Sequence, residues 1–162
     1  MQQARTQAAT AATAATQARK AEPALTLSRR YKASLERVYG AFARQEHLTR
    51  WFGPEGCAIE DCDWRPQVGR PWRLVMVHAD GGTNPVGGVF REVLPRERLV
   101  FTWTWENTEY AGLETLVTVA FKALGDMTEV VLTHEWLPDA PARDCHGKGW
   151  TSSLESLADY LA

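Results

Sequence analysis

The stretch Gly149-Trp-Thr-Ser-Ser-Leu-Glu-Ser-Leu-Ala-Asp-Tyr-Leu161 decides the fold. Its apolar residues Trp150, Leu154, Leu157, Ala158 and Leu161 recur at the i, i+4, i+7, i+8, i+11 spacing of one helix face. Ser152, Ser153, Glu155 and Asp159 take the other face. Everything before it, from Leu25 to Trp136, reads mostly as strands. One long helix closing a strand-rich chain needs a concave sheet to lie in, and that arrangement leaves room for a pocket between the two.

Working back from the helix, period-two alternation marks the strands. Leu25, Leu27, Arg29 and Tyr31 share one face of the first strand, with Arg29 as a polar intruder. Ser34 is a plausible N-cap for a helix through Phe42, with Leu35, Val38, Tyr39 and Phe42 as its stripe. A second short helix is expected from Glu46 to Trp51, broken by Gly53-Pro54-Glu55-Gly56. Six further strands follow: Cys57 to Trp64, Trp72 to His78, Gly87 to Leu94, Leu99 to Trp105, Thr115 to Phe121 and Thr128 to Trp136. Hairpin-type turns join most of them, so the sheet is expected to be antiparallel. The segment Leu137 to Lys148, rich in Pro, Ala and Gly, reads as a loop at the cavity mouth. The order is strand, two helices, six strands, long helix: an α+β arrangement.

The 162 residues make one domain the natural expectation, and residues 1–22 a low-complexity tail of Ala, Thr and Gln with nothing to pack. A net charge of -2 gives no electrostatic footprint for nucleic acid or an anionic membrane. No run approaches the ~18 apolar residues of a membrane span. Three cysteines (Cys57, Cys62, Cys145) without a paired array read as free thiols in a reducing cytoplasm.

Taken together, several motifs resemble the START-like (SRPBCC) superfamily, and within it the small domain of the activator of heat-shock-protein-90 ATPase homologue type. They are Arg29-x-Tyr31-x-Ala33, Val38-Tyr39-x-Ala41-Phe42, and His47-Leu48-x-x-Trp51-Phe52-Gly53-Pro54. Asp63-x-Arg65-Pro66, Trp72-Arg73-x-x-Met76 and Gly88-x-Phe90 follow, then Pro95-x-x-Arg98-Leu99-Val100-Phe101-Thr102-Trp103. Thr128-x-Val130-x-Leu132-Thr133-His134 and Gly149-Trp150 complete the set. The resemblance spans about residues 25 to 161. It implies a helix-grip fold, a curved antiparallel sheet wrapped around the C-terminal helix, with a cavity that holds an apolar small molecule in many relatives. Gly69-Arg70-Pro71 departs from the family's usual Gly-Gly turn, and Ala33-Ser34 from its Ala-Pro.

The expected cavity wall consists of Arg29, Tyr31, Trp72, Leu74, Met76, His78, Phe90, Phe101, Trp103, Trp105, Val117, Val119, Leu132, His134, Trp150, Leu154 and Leu157. Its polar candidates are Arg29, His78 and His134, with Glu92 if Phe90 faces inward. There is no Ser–His–Asp arrangement, no zinc-type spacing and no Gly-rich phosphate loop. No cofactor or metal is expected. The leading reading is a non-catalytic carrier or sensor of a small hydrophobic molecule. The alternatives are a cyclase-, aromatase- or hydrolase-type enzyme using Arg29, His78, His134 or Glu92, and a co-chaperone-like ATPase activator, with the chaperone partner ranked last. Monomer and homodimer are both open.

Overall fold

The structure, a computed structural model, describes residues 24–162; the tail expected at residues 1–22 lies outside them. Seven strands form: β1 (Leu25–Tyr31), β2 (Ala58–Asp63), β3 (Pro71–Val77), β4 (Thr83–Leu94), β5 (Arg98–Trp105), β6 (Thr115–Leu124) and β7 (Met127–Glu135). They make one antiparallel sheet in the order β1-β7-β6-β5-β4-β3-β2. Helices α1 (Leu35–Ala43) and α2 (Gln45–Leu48) carry the chain from one edge strand, β1, to the other, β2. The long helix α3 (Ala140–Leu161) closes the chain and grips the sheet's concave face. This is the α+β order read from the sequence and the helix-grip arrangement that the family resemblance implies.

Local chemistry sets the boundaries. Ser34 accepts from the Arg37 amide at 3.2 Å and starts α1, which buries Val38, Ala41 and Phe42. The second helix is a single turn rather than the expected run to Trp51. Trp51 is buried all the same, and its indole N–H donates to the Ala41 carbonyl at 2.9 Å. Strand β7 stops at Glu135 because Trp136 takes a positive φ of 65°, so Leu137 and not Trp136 enters the core. On β4, a Cβ at Gly88 would stand 1.9 Å from the Thr102 carbonyl oxygen. The approach is close because the Trp72 indole N–H donates to that carbonyl at 3.1 Å, while the Thr102 hydroxyl accepts from the Val89 amide at 2.8 Å.

The largest correction to the sequence reading falls just before the final helix. The segment from Leu137 to Lys148 is not a loop: α3 begins at Ala140. Asp139 caps it, accepting from the Ala142 amide at 2.8 Å, and Pro141 sits in the first turn, where its missing N–H costs nothing. Gly147 and Gly149 weaken the helix propensity of this half. Burial of Ala142, His146, Trp150, Ser153, Leu154, Leu157 and Leu161 along one stripe overrides that weakness. Ser153, expected on the solvent face, is buried, and its hydroxyl donates back to the Gly149 carbonyl at 2.9 Å.

Candidate functional site

A cavity of about 360 Å³ lies between the N-terminal half of α3 and one end of the sheet. Phe52 and Pro54 reach it from the chain after α2, Met76 and Asn84 from the β3–β4 hairpin, and Trp103 and Trp105 from the end of β5. Thr108, Glu109 and Tyr110 of the β5–β6 loop form another side. Cys145, His146, Gly149, Trp150 and Ser153 of α3 close it. The wall is aromatic, with a few polar groups set into it, which is the usual make-up of a small-molecule site.

The two histidines at this end are held by complementary networks. The Trp150 indole N–H donates to His134 Nδ1 at 3.0 Å. The other nitrogen, Nε2, therefore carries the proton and donates to Thr115 Oγ1 at 2.7 Å, and that hydroxyl donates to the Trp103 carbonyl at 2.8 Å. His146 has the opposite tautomer. Its Nδ1–H donates to the Ala142 carbonyl at 2.7 Å, and Nε2 accepts from the Trp105 indole N–H at 3.0 Å. The rings stand 4.9 Å apart, edge to face. Burial holds His134 well below the usual imidazole range, with the neighbouring His146 pushing the same way. Burial lowers His146 too, against the opposing pull of the Ala142 carbonyl. Both rings are thus neutral and committed at both nitrogens. The Trp103 indole N–H is buried without a partner.

Of the residues expected on the wall, Met76, Trp103, Trp105 and Trp150 line this cavity. His134 stands behind it, bonded to Trp150. Trp72, Leu74, Phe90, Phe101, Val117, Val119, Leu132, Leu154 and Leu157 are buried in the core outside the cavity lining. The Tyr31 hydroxyl donates to the Leu154 carbonyl at 2.8 Å. Arg29 lies on an edge strand and turns to the Ser28 carbonyl at 2.8 Å, while Glu92 is paired with Arg98 at 2.6 Å on the exposed side. His78 sits beside the cavity, bonded to Asn84 and Cys57. Sequence reasoning missed Phe52, Tyr110 and the whole first half of α3. Continuing the Trp150 stripe back by fours to His146 and Ala142 would have found the last of these.

Among the described residues, no cluster of three or more His, Cys, Asp or Glu is placed to hold a metal ion. No described helix is long and apolar enough to cross a membrane.

A seven-stranded sheet gripping a terminal helix, with an aromatic cavity between them, defines a helix-grip, START-like protein. Residues 32–162 match the family described as Activator of Hsp90 ATPase homolog 1-like protein, and the chain belongs to that family. It is similar in structure to the AHSA1 protein of Silicibacter pomeroyi, at 31% identity and a TM-score of 0.79, over 86% of this chain and 97% of that one. A protein of Chromobacterium violaceum is similar at 26% identity and a TM-score of 0.75, also over 86% and 97%. DynU16, of the dynemicin biosynthetic locus, shares the fold at 20% identity and a TM-score of 0.67, over 85% of this chain and 46% of its own. Compared with curated proteins, the sequence matches none.

Proposed function

We propose that this protein binds a small apolar, aromatic molecule in the cavity beneath the N-terminal half of α3, as a carrier or sensor. The observation that carries this reading is the wall itself. Phe52, Trp103, Trp105, Tyr110 and Trp150 surround about 360 Å³ of space, and the histidine in the wall is neutral with both nitrogens occupied. A wall of that kind offers area and shape to an apolar ligand, and its one imidazole has no free nitrogen with which to move a proton.

The test is a titration of 2-naphthol against tryptophan fluorescence, beside the variant Gly149→Leu. An added Cβ at Gly149 meets only Pro54 Cγ, at an ordinary 3.8 Å, so the leucine projects into the cavity while favouring the helix. Saturable binding by the wild type and its loss in G149L supports the reading. No saturable response, or equal binding by both proteins, sinks it.

A further inference from the structure

A second cluster of chemistry-bearing side chains stands at the cavity's edge, where the loop after α2 meets the β3–β4 hairpin. Cys57 Sγ lies 3.2 Å from His78 Nδ1. His78 Nε2 bonds Asn84 Oδ1, Asn84 Nδ2 donates to Asn107 Oδ1 at 3.1 Å, and Asn107 Nδ2 donates to the Thr83 carbonyl at 2.8 Å. That carbonyl can only accept, and it fixes every proton upstream. The Asn107 amide nitrogen must face it, so the Asn107 oxygen faces Asn84. The Asn84 oxygen then faces His78, whose Nε2 carries the hydrogen. The lone pair of His78 Nδ1 is left aimed at the Cys57 thiol. A nucleophile, a base and a group orienting the base stand in sequence, within hydrogen-bond reach.

We propose that Cys57 is a nucleophilic thiol, with His78 as its base, that adds to apolar carbon electrophiles of the enone and enal class. The substrate class rests on the cavity reading above. Asn84 is itself a wall residue, and Cys57 is tied to a second one, its amide donating to the Pro54 carbonyl at 3.0 Å. In the step, the sulfur bonds the β-carbon of the alkene and the carbon–carbon π pair moves onto the α-carbon and carbonyl oxygen. The thiol proton passes to His78 Nδ1 and is returned to the α-carbon, so no co-reactant is needed. Burial pushes the Cys57 thiol above its ordinary value, so it is protonated at rest and the base is required. Acyl transfer is less well served. The Glu55, Cys57, His78, Gly81 and Gly82 amides, which would have to hold an oxyanion, already donate elsewhere.

Cys145, more exposed and in the cavity wall, is the internal control. The full chain is treated with phenyl vinyl ketone, and in parallel with iodoacetamide, and adducts are timed by peptide mapping. Cys57 should outpace Cys145 with phenyl vinyl ketone by about a hundredfold or more, the low end of what a positioned base supplies. His78→Ala should remove that advantage without changing the Cys145 rate, and added imidazole should restore it. Cys57 reacting no faster than Cys145 with either reagent overturns the inference on the wild type alone, whether or not the variant folds. An unchanged Cys57 rate in a folded H78A overturns it too. Speed with iodoacetamide but not with the enone overturns the substrate class, whereas the 2-naphthol titration decides the cavity independently.

Discussion

At the β2–β3 end of the interior, the indole N–H groups of Trp51, Trp64 and Trp72 donate to the backbone carbonyls of Ala41, Phe42 and Thr102. At the other end, beneath the start of α3, the Trp105 and Trp150 donors go to imidazoles and the Trp103 donor to nothing. The first end is filled. The Trp64 ring stands 5.0 Å from Trp72, 4.9 Å from Phe90 and 5.0 Å from Phe101, all edge to face. The second end is hollow. Both are equally aromatic, so aromatic content does not decide between core and cavity. What differs is where the polar tips are tied. An indole held by a carbonyl of a helix or ladder cannot move without the fold, whereas one held by another side chain can.

The sharpest way to break this comparison is to truncate one tryptophan from each end. Trp64→Ala should cost about 3–5 kcal/mol, because it opens a void in a close-packed cluster and strands the Phe42 carbonyl. Trp105→Ala removes a half-exposed ring beside an existing cavity and should cost nearer ~1 kcal/mol. Urea unfolding of the two variants measures both. Equal losses would mean that the two ends are packed alike.

The sequence made the filled end legible and the hollow end much less so, for a physical reason. Strand alternation reports which face is buried, and it placed Trp72, Leu74, Leu99, Phe101, Val117, Val119 and Leu132 inside correctly. It does not report whether the space opposite a buried face is occupied. That depends on Phe52 and Trp64, which reach the interior from outside the regular alternation, and on how far α3 extends. Pro141, Gly147 and Gly149 disguised the first half of α3, since its helical state comes from tertiary burial and the Asp139 cap rather than from local propensity. The Cys57–His78–Asn84 relay was illegible as well, because strand pairing and a hairpin bring its members together.

The second prediction concerns pH. His134 is held neutral in the fold, so the unfolded chain binds its proton more readily. Stability is therefore complete above the unfolded imidazole value of about 6.5 and falls as pH drops below it, by up to about 1.4 kcal/mol per unit. His146 adds to the same slope with less weight, being less deeply buried. Unfolding free energies measured from pH 8 to pH 5 should show this loss in the wild type, and a shallower one in His134→Gln. A variant as steep as the wild type would place the sensitivity at His146 or outside the hollow end, and not at His134.

The third asks whether the hollow end is a site rather than a packing defect. Trp105→Ala should weaken 2-naphthol binding about tenfold, or ~1.4 kcal/mol. Trp64→Phe, at the filled end, should leave binding unchanged in whatever fraction stays folded. Isothermal titration on both compares them directly, and a W64F effect as large as that of W105A would erase the distinction between the two ends.

The smallest effect is the most local. Asp139→Ala removes the side-chain cap of α3 and should cost about 1 kcal/mol. The loss need not be uniform. Residues 140–148 depend on the cap and are weakened by Gly147, whereas Leu154, Leu157 and Leu161 are locked onto the sheet. Local opening draws on whichever segment has the fewest buried contacts. Amide hydrogen exchange in D139A should therefore rise across residues 140–148 and stay near wild type from Leu154 onward. Because Cys145, His146 and Gly149 stand on the cavity, the same variant should bind 2-naphthol more weakly with its fold intact. Uniform acceleration along all of α3 would instead make the helix one cooperative unit, with the hollow end as firmly built as the filled one.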